Sequence, residues 1–351
     1  MTGLPPCEAT ARVRRQSGVV LVVILVFALL LTSSVATFLR RATVDSMIAR
    51  NRDAASRAEA LARGGVRLAT VLLLEDALRD QDPDSVGDTL SDLWAQARYV
   101  EIPLEDGASL RLKIEDTGSR LNLNAIFQFD ENGAAHDNAT HLLTDLLEKV
   151  IEEMPVAPGE KLYDVPDLVA NLVDYADEDD LRQRGGPEDD VYQDRDPPER
   201  PANRPFLSLD ELRSVEGFDD RLVQGLRPYL TVYPFAGASG INPNTAPPHV
   251  LSLLFFNDGV DLRFAEEDTV REILKVRQEG GFVCGDENVA EGCAPLSEVV
   301  GPNAVYPPPA FDSAIFTVTA EARVGDVRRS VEAVMDRGAG ARPLLLSWRV
   351  L

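Results

Sequence analysis

The longest apolar stretch in the chain starts directly after Gly18 and runs to Leu39. Its 21 residues, 19–39, suffice for one bilayer crossing, which takes about 20 at helical rise. Only Thr32, Ser33, Ser34 and Thr37 are polar inside it, and their hydroxyls can bond back to the helix backbone. A charged residue there would cost roughly 2.5–3.5 kcal/mol or more. No Pro occurs between Pro6 and Pro83, so the same helix is predicted to continue past the apolar run. Residues 40–79 are rich in Ala, Arg, Leu and Glu. Ala58, Leu61, Ala62, Val66, Leu68, Ala69, Leu72 and Leu73 recur there at three- and four-residue spacing. This predicts one stripe facing a core, on a rod roughly 90 Å long. Gly64 and Gly65 interrupt the pattern and mark either a bend or close packing.

Alternation then takes over. Residues 99–104 and 110–115 alternate around a turn at Glu105, Asp106 and Gly107, which predicts a hairpin. The segment 116–124 follows, and its Asn122 and Asn124 read as a turn capping a helix. From 126 to about 305 the pattern is helical and loop-rich. Helices are expected over 141–151, 164–175 and 268–278, the last stopped by Gly280 and Gly281. Ser208 and Glu211 have capping-box spacing, and Asn244 with Pro247 and Pro248 opens a further helix. Strand patterns return at 314–322, 327–335 and 344–351, with a turn at Gly325 and Asp326. The fold class expected is α+β. The apolar helix, 19–39, continues into an α/β domain made of 40–125 and 306–351, and an all-α domain, 126–305, is inserted between its two parts.

Charge changes the picture. The formal net charge is −23, and residues 1–18 carry three Arg and one Glu, so the remainder stands at −25. Such a surface repels nucleic acid phosphates and anionic headgroups, and suits a soluble body or one that collects divalent cations. Orientation does not follow from charge alone, because Arg12, Arg14 and Arg15 on one side face Arg40, Arg41, Arg50 and Arg52 on the other. Of three Cys, Cys7 lies in the leader. Cys284 and Cys293 form an even pair in a Gly-rich acidic loop and read as a local disulfide in an oxidising compartment rather than a metal site.

Enzyme signatures are missing: there is no phosphate loop, no Gly-x-Ser-x-Gly, no His-Glu-x-x-His and no dinucleotide fingerprint. His136, His141 and His249 fall in no ligand spacing, and His136 and His141, near a helix start, suit surface or capping roles. An acidic loop is the one candidate site. Asp174, Asp177, Glu178, Asp179 and Asp180 precede Gly185 and Gly186, and Glu188, Asp189, Asp190, Asp194 and Asp196 follow. Hard oxygen donors in a loop suit calcium, and a solvated acidic face is the alternative. Residues 212–218 and 241–246 resemble helix-hairpin-helix turns, but Glu216, Asp219 and Asp220 crowd the first with negative charge. That favours a structural or protein-binding use over DNA.

The leader has its own reading. Basic residues, then Gly18, then an apolar helix is the layout of a prepilin leader; a plain signal anchor with an incidental Gly is the other meaning. The whole set decides between them. Ser17-Gly18-Val19, the 116–124 segment with Leu121-Asn122-Leu123-Asn124, and Asp174-Tyr175-Ala176-Asp177 resemble the type II secretion minor pseudopilin called general secretion pathway protein K. So do Leu209-Asp210-Glu211-Leu212-Arg213 and 241–247, and all stand in that family's order. Major pseudopilins carry Glu as the fifth residue after the cut; here it is Val23, as in protein K. The chain departs from the family at Tyr175, where the family has Trp.

The resemblance implies a non-enzymatic tip subunit, cut between Gly18 and Val19 by prepilin peptidase and methylated at the new N-terminus. It would be held in the bacterial inner membrane by a single pass, with its body in the periplasm. Minor pseudopilins I, J and H and the inner-membrane secretion platform would be its partners. It would cap and initiate the pseudopilus that exports folded proteins across the outer membrane. The implied soluble part is a pilin-like α/β domain with the helical insertion. Calcium would be held at Asp174, Asp177, Glu188 and Asp189, with no organic cofactor. A minor pilin of a type IV pilus and a membrane-anchored helix-hairpin-helix DNA-binding protein are the competing readings.

Overall fold

The computed structural model describes residues 17–79, 87–127, 137–155, 163–193, 195–257, 262–287, 289, 291–301, 304–338 and 342–351. Leader residues 1–16 with Cys7, and also His136 and Asp194, lie outside the described residues.

One helix, Ser17–Arg79, runs for 63 residues. Its apolar part is exposed along its length, and the helix is long and apolar enough to cross a membrane. Burial begins at Ala58 and follows Ala62, Val66, Ala69 and Leu73 down one face. Leu68, expected in that stripe, is 38% exposed. It stands two residues past Val66, and at about 100° per residue it turns to the opposite face. The helix passes through Gly64 and Gly65 without a break, so close packing explains the pair. A Cβ on Gly65 would lie 2.8 Å from Leu110 Cδ1 and 2.9 Å from Ala320 Cβ.

Under the helix lies a five-stranded antiparallel sheet. Its order is Glu101–Pro103, Ser109–Asp116, Ile315–Val324, Val327–Asp336 and Leu344–Val350. Val318 in the central strand pairs with Ile114 on one side and Ala333 on the other. Period-two alternation turns Leu112, Ile114, Phe316, Val318, Ala320 and Ala333 toward the helix. Trp94 closes this core edge-on to Phe316, with ring centroids 5.0 Å apart.

A second core belongs to the long insertion. The helices Asp137–Glu153, Val165–Ala176, Asp220–Leu226 and Glu267–Gln278 contribute to it. Leu121, Leu123 and Ile126 pack in this second core, so the passage between the cores falls within 117–120, ahead of the boundary expected at 125. The insertion also carries short strands where only helices were expected. Phe255–Asn257 pairs with Leu262–Phe264 and Ala304–Tyr306, and Phe282–Cys284 runs parallel to Cys293–Pro295. Leu121–Asn122 runs parallel to Leu230–Thr231. Strands of two or three residues are too short for alternation to show. Ser208 opens a 3-10 helix, Leu209–Ser214, rather than an α-helix, and its hydroxyl accepts the Asp210 amide.

Two asparagine pairs tie the insertion together with one geometry. Asn122 Oδ1 accepts the Asn124 amide at 2.9 Å, and Asn242 Oδ1 accepts the Asn244 amide at 2.9 Å. In each pair the second Asn grips a distant backbone by both groups. Asn124 accepts from the Phe206 amide and donates to its carbonyl, at 2.8 and 3.0 Å. Asn244 does the same at Val283, at 2.7 and 2.8 Å. The first pair was expected to be a turn cap, and it does cap the one-turn helix Leu123–Ile126. The second was expected to cap the next helix, but that helix, Pro248–Leu251, starts beyond it.

Candidate metal centre

The helix Val165–Ala176 is set by Asp164, whose carboxylate accepts from the Asp167 amide, with Pro166 in the first turn. Asp174 therefore sits one turn before Asp177, the residue that caps the helix C-terminus. Beyond Asp177 the chain doubles back. Leu181 lies opposite Pro187, and the Arg182 amide donates to the Gly186 carbonyl at 3.0 Å. Gly185 and Gly186 turn the chain at φ 85° and 97°, a region closed to most side chains. The return brings Glu188 beside Asp177. One carboxylate oxygen from each of Asp174, Asp177 and Glu188 lies within 4.8 Å of the others.

All three are buried, at 4%, 0% and 2% exposure. Asp174 Oδ1 accepts the Gln183 amide at 2.8 Å, and Arg182 Nε lies 3.9 Å from Asp174 Oδ2. None of the four oxygens of Asp177 and Glu188 receives a hydrogen bond. Burial, then repulsion from Asp179 and Asp174, pushes Asp177 up to about 7. Burial, then repulsion from Asp177, Asp174 and Asp179, pushes Glu188 up to about 8. Burial also raises Asp174. Three ionised carboxylates at this spacing, out of water, call for a cation or for protons. The donors are all hard oxygens, which fits calcium rather than a soft-ligand metal. The fit therefore rests on unpaired buried oxygen atoms.

Asp189, expected with these three, faces elsewhere. Its carboxylate accepts from Gln193 Nε2 at 3.2 Å and lies 3.8 Å from Arg200 Nε. It opens the short helix Asp189–Gln193, where adjacent side chains diverge by about 100°. Glu188 and Asp189 thus point different ways. Asp179 is committed to the turn and accepts the Leu181 amide at 2.6 Å.

A second carboxylate group, Asp76, Asp88 and Asp92, went unseen in the sequence. It already faces a cation. Arg337 pairs with Asp76 and, at 2.9 Å, with Asp88, while its guanidinium lies 4.9 Å over the Phe316 ring. Burial outweighs Arg337 and lifts Asp88 to about 8. The three carboxylates lie within one short stretch, but the Arg337 they face is 249 residues beyond Asp88, which leaves no local signal for the pairing.

The hairpin at 212–218 does not offer its following helix to an anion. Asp219 caps that helix, accepting from the Leu222 amide at 2.8 Å and from the Tyr163 hydroxyl. Cys284 and Cys293 form a disulfide across the parallel strand pair, with Cα atoms 5.8 Å apart. Gly18, Val19 and Val23 lie in the first turns of the long helix, with Val19 and Val23 exposed.

A long helix whose apolar start is exposed and whose later turns lie over an antiparallel sheet, with a second unit grafted between the sheet's strands, defines a pilin-like subunit. The comparisons agree. A family model for type II secretion system protein K matches residues 119–235. Protein K of Klebsiella pneumoniae is 31% identical over 271 residues, covering 76% of this chain and 77% of its own. That of Aeromonas hydrophila is 28% identical over 344 residues, 95% of this chain and 96% of its own. In fold, the chain is similar to one from the crystal structure of the GspK-GspI-GspJ complex of the enterotoxigenic Escherichia coli Type 2 Secretion System. The TM-score is 0.59 at 21% identity, covering 86% of this chain and 99% of that one. The chain belongs to the type II secretion system protein K family of minor pseudopilins.

Proposed function

We propose that this chain is the tip subunit of a type II secretion pseudopilus, where it starts and caps assembly and so supports export of folded proteins. The observation that carries the reading is the start of the long helix. From Val19 through Val44 it holds no carboxylate, and its fifth residue past Gly18 is Val23. A subunit of this kind cannot neutralise the amine of another placed ahead of it, so nothing sits above it. Prepilin peptidase cuts after Gly18, the new N-terminus is methylated, and 19–39 anchors the chain in the inner membrane with the body in the periplasm.

Minor pseudopilins I and J are its direct partners, with H beneath and the inner-membrane platform at the base. The fold's likeness to a chain from a GspK-GspI-GspJ complex supports the first two. Asp174, Asp177 and Glu188 hold calcium, which supplies the positive charge their site lacks. The body does no catalysis and takes no nucleic acid.

The test is co-expression of the full chain with the I and J proteins of the same genome. Extraction in detergent would follow, with calcium and with chelator. A three-part complex from wild type, and unprocessed, secretion-dead protein from Gly18→Ala, are expected. No complex in either condition, or normal secretion by the variant, would overturn the reading.

A further inference from the structure

The Asp174–Arg182 contact places a positive charge beside the three-carboxylate site. Asp174 shares its oxygens between the Gln183 amide and the Arg182 guanidinium. Among the described residues, Arg182 is the cation that pairs with a member of the cluster; its neighbour Arg184 pairs with Asp167 instead. The Arg182 side chain is part-exposed, and it also lines a cleft of about 680 Å³ that Asp164 and Asp167 line as well. A guanidinium next to a calcium ligand opposes a dication, because like charges repel, and the buried carboxylate between them is screened less than a surface one.

We propose that Arg182 sets the calcium threshold of the site. With no ion bound, Arg182 offsets part of the charge on Asp174. When calcium arrives it takes over that role, and the guanidinium swings into the cleft, toward the negative charge of Asp164 and Asp167 that Arg184 already shares. Occupancy is thereby an exchange of one cation for another, and affinity is held below what three buried carboxylates alone would reach. This inference rests on the calcium reading above.

The backbone of Arg182 makes the idea testable. Its amide donates to Gly186 and its carbonyl accepts from Gly185, so the turn is held by main-chain bonds that a side-chain change leaves in place. The experiment is a calcium titration by calorimetry on the detergent-solubilised full chain, for wild type, Arg182→Gln and Arg182→Lys. Arg182→Gln should bind calcium about tenfold more tightly, and Arg182→Lys within about twofold of wild type. A merely structural role would weaken binding in both variants. Unchanged or weaker binding by Arg182→Gln, with wild type binding normally, overturns the inference alone. No calcium heat from wild type removes the calcium reading and the inference together.

Discussion

Asp116 and Thr245, 129 residues apart in sequence, meet inside the protein with the Thr245 hydroxyl donating to Asp116 Oδ2 at 2.5 Å. Asp116 ends a strand of the main sheet, and Thr245 follows the second asparagine pair. The same carboxylate takes the Gly118 amide at 2.6 Å and Asn242 Nδ2 at 3.1 Å. Burial raises its pKa, and these donors pull it back. This contact joins the two cores. Thr245→Val removes one donor from a buried carboxylate and should cost about 1–3 kcal/mol. Asp116→Ala should cost at least as much. Urea denaturation of both variants and the double mutant gives the coupling, expected above about 0.5 kcal/mol; additive effects would show that the pair does not link the cores.

Arg337 stands between Asp76 and Asp88 with 8% of its side chain exposed. Arg337→Met leaves two carboxylates buried without that partner. A loss of about 3–5 kcal/mol is expected. Adding Asp88→Asn to Arg337→Met should recover part of it, since the amide carries no charge. Thermal melts of the two variants check this, and no recovery would mean that packing against Phe316 accounts for the loss.

Gly65 is a point of close approach between helix and sheet. Gly65→Ala puts a methyl among Leu110, Leu112 and Ala320 at 2.8–3.0 Å. The expected cost is about 1–3 kcal/mol. Gly64→Ala, which meets nothing within 4 Å, should be neutral or slightly stabilising. Equal effects from the two would contradict the packing.

The calcium-free protein should lose stability as pH rises. Asp177 and Glu188 have folded-state pKa values of about 7 and about 8, above their ordinary 3.8 and 4.5. The folded state therefore binds more protons than the unfolded one between those limits, and stability falls with rising pH until the higher values are passed. In chelator, the melting temperature should drop from about pH 5 to about pH 8. Calcium should flatten that slope, because it replaces the protons. Asp177→Asn with Glu188→Gln should remove the calcium response and make the slope shallower, while Asp88, also raised to about 8, keeps its own share of it. A slope unchanged by calcium would count against the site.

The long helix and the main sheet were legible because their patterns are long. Ala58 to Leu73 show the helical stripe, and 314–335 show two long strand patterns around Gly325. The site was half legible. Composition marks an acidic run from Asp174 to Asp196, and the family resemblance points within it to Asp174, Asp177, Glu188 and Asp189; Asp189 falls away because neighbours on a helix diverge. Asn124 and Asn244 were visible as caps and as parts of family motifs, but not as grips on the backbone, since their partners Phe206 and Val283 lie 82 and 39 residues away. Arg337 gave no sign at all: its partners Asp76 and Asp88 are 261 and 249 residues distant, and nothing local marks one arginine among many.

The long helix is also an angular coupling. Between Leu39, the end of its apolar part, and Asp53, the last residue before burial begins, it is exposed on every side for about 21 Å. Through that length no turn or joint interrupts it, so the direction the body faces is tied to the direction the apolar part faces. One residue inserted there would swing the body about 100° around the axis and lift it about 1.5 Å, whereas eighteen would restore its bearing after five full turns and raise it about 27 Å. Bearing and height can thus be changed separately, which makes the free span a protractor for finding which side of the body its neighbours must meet.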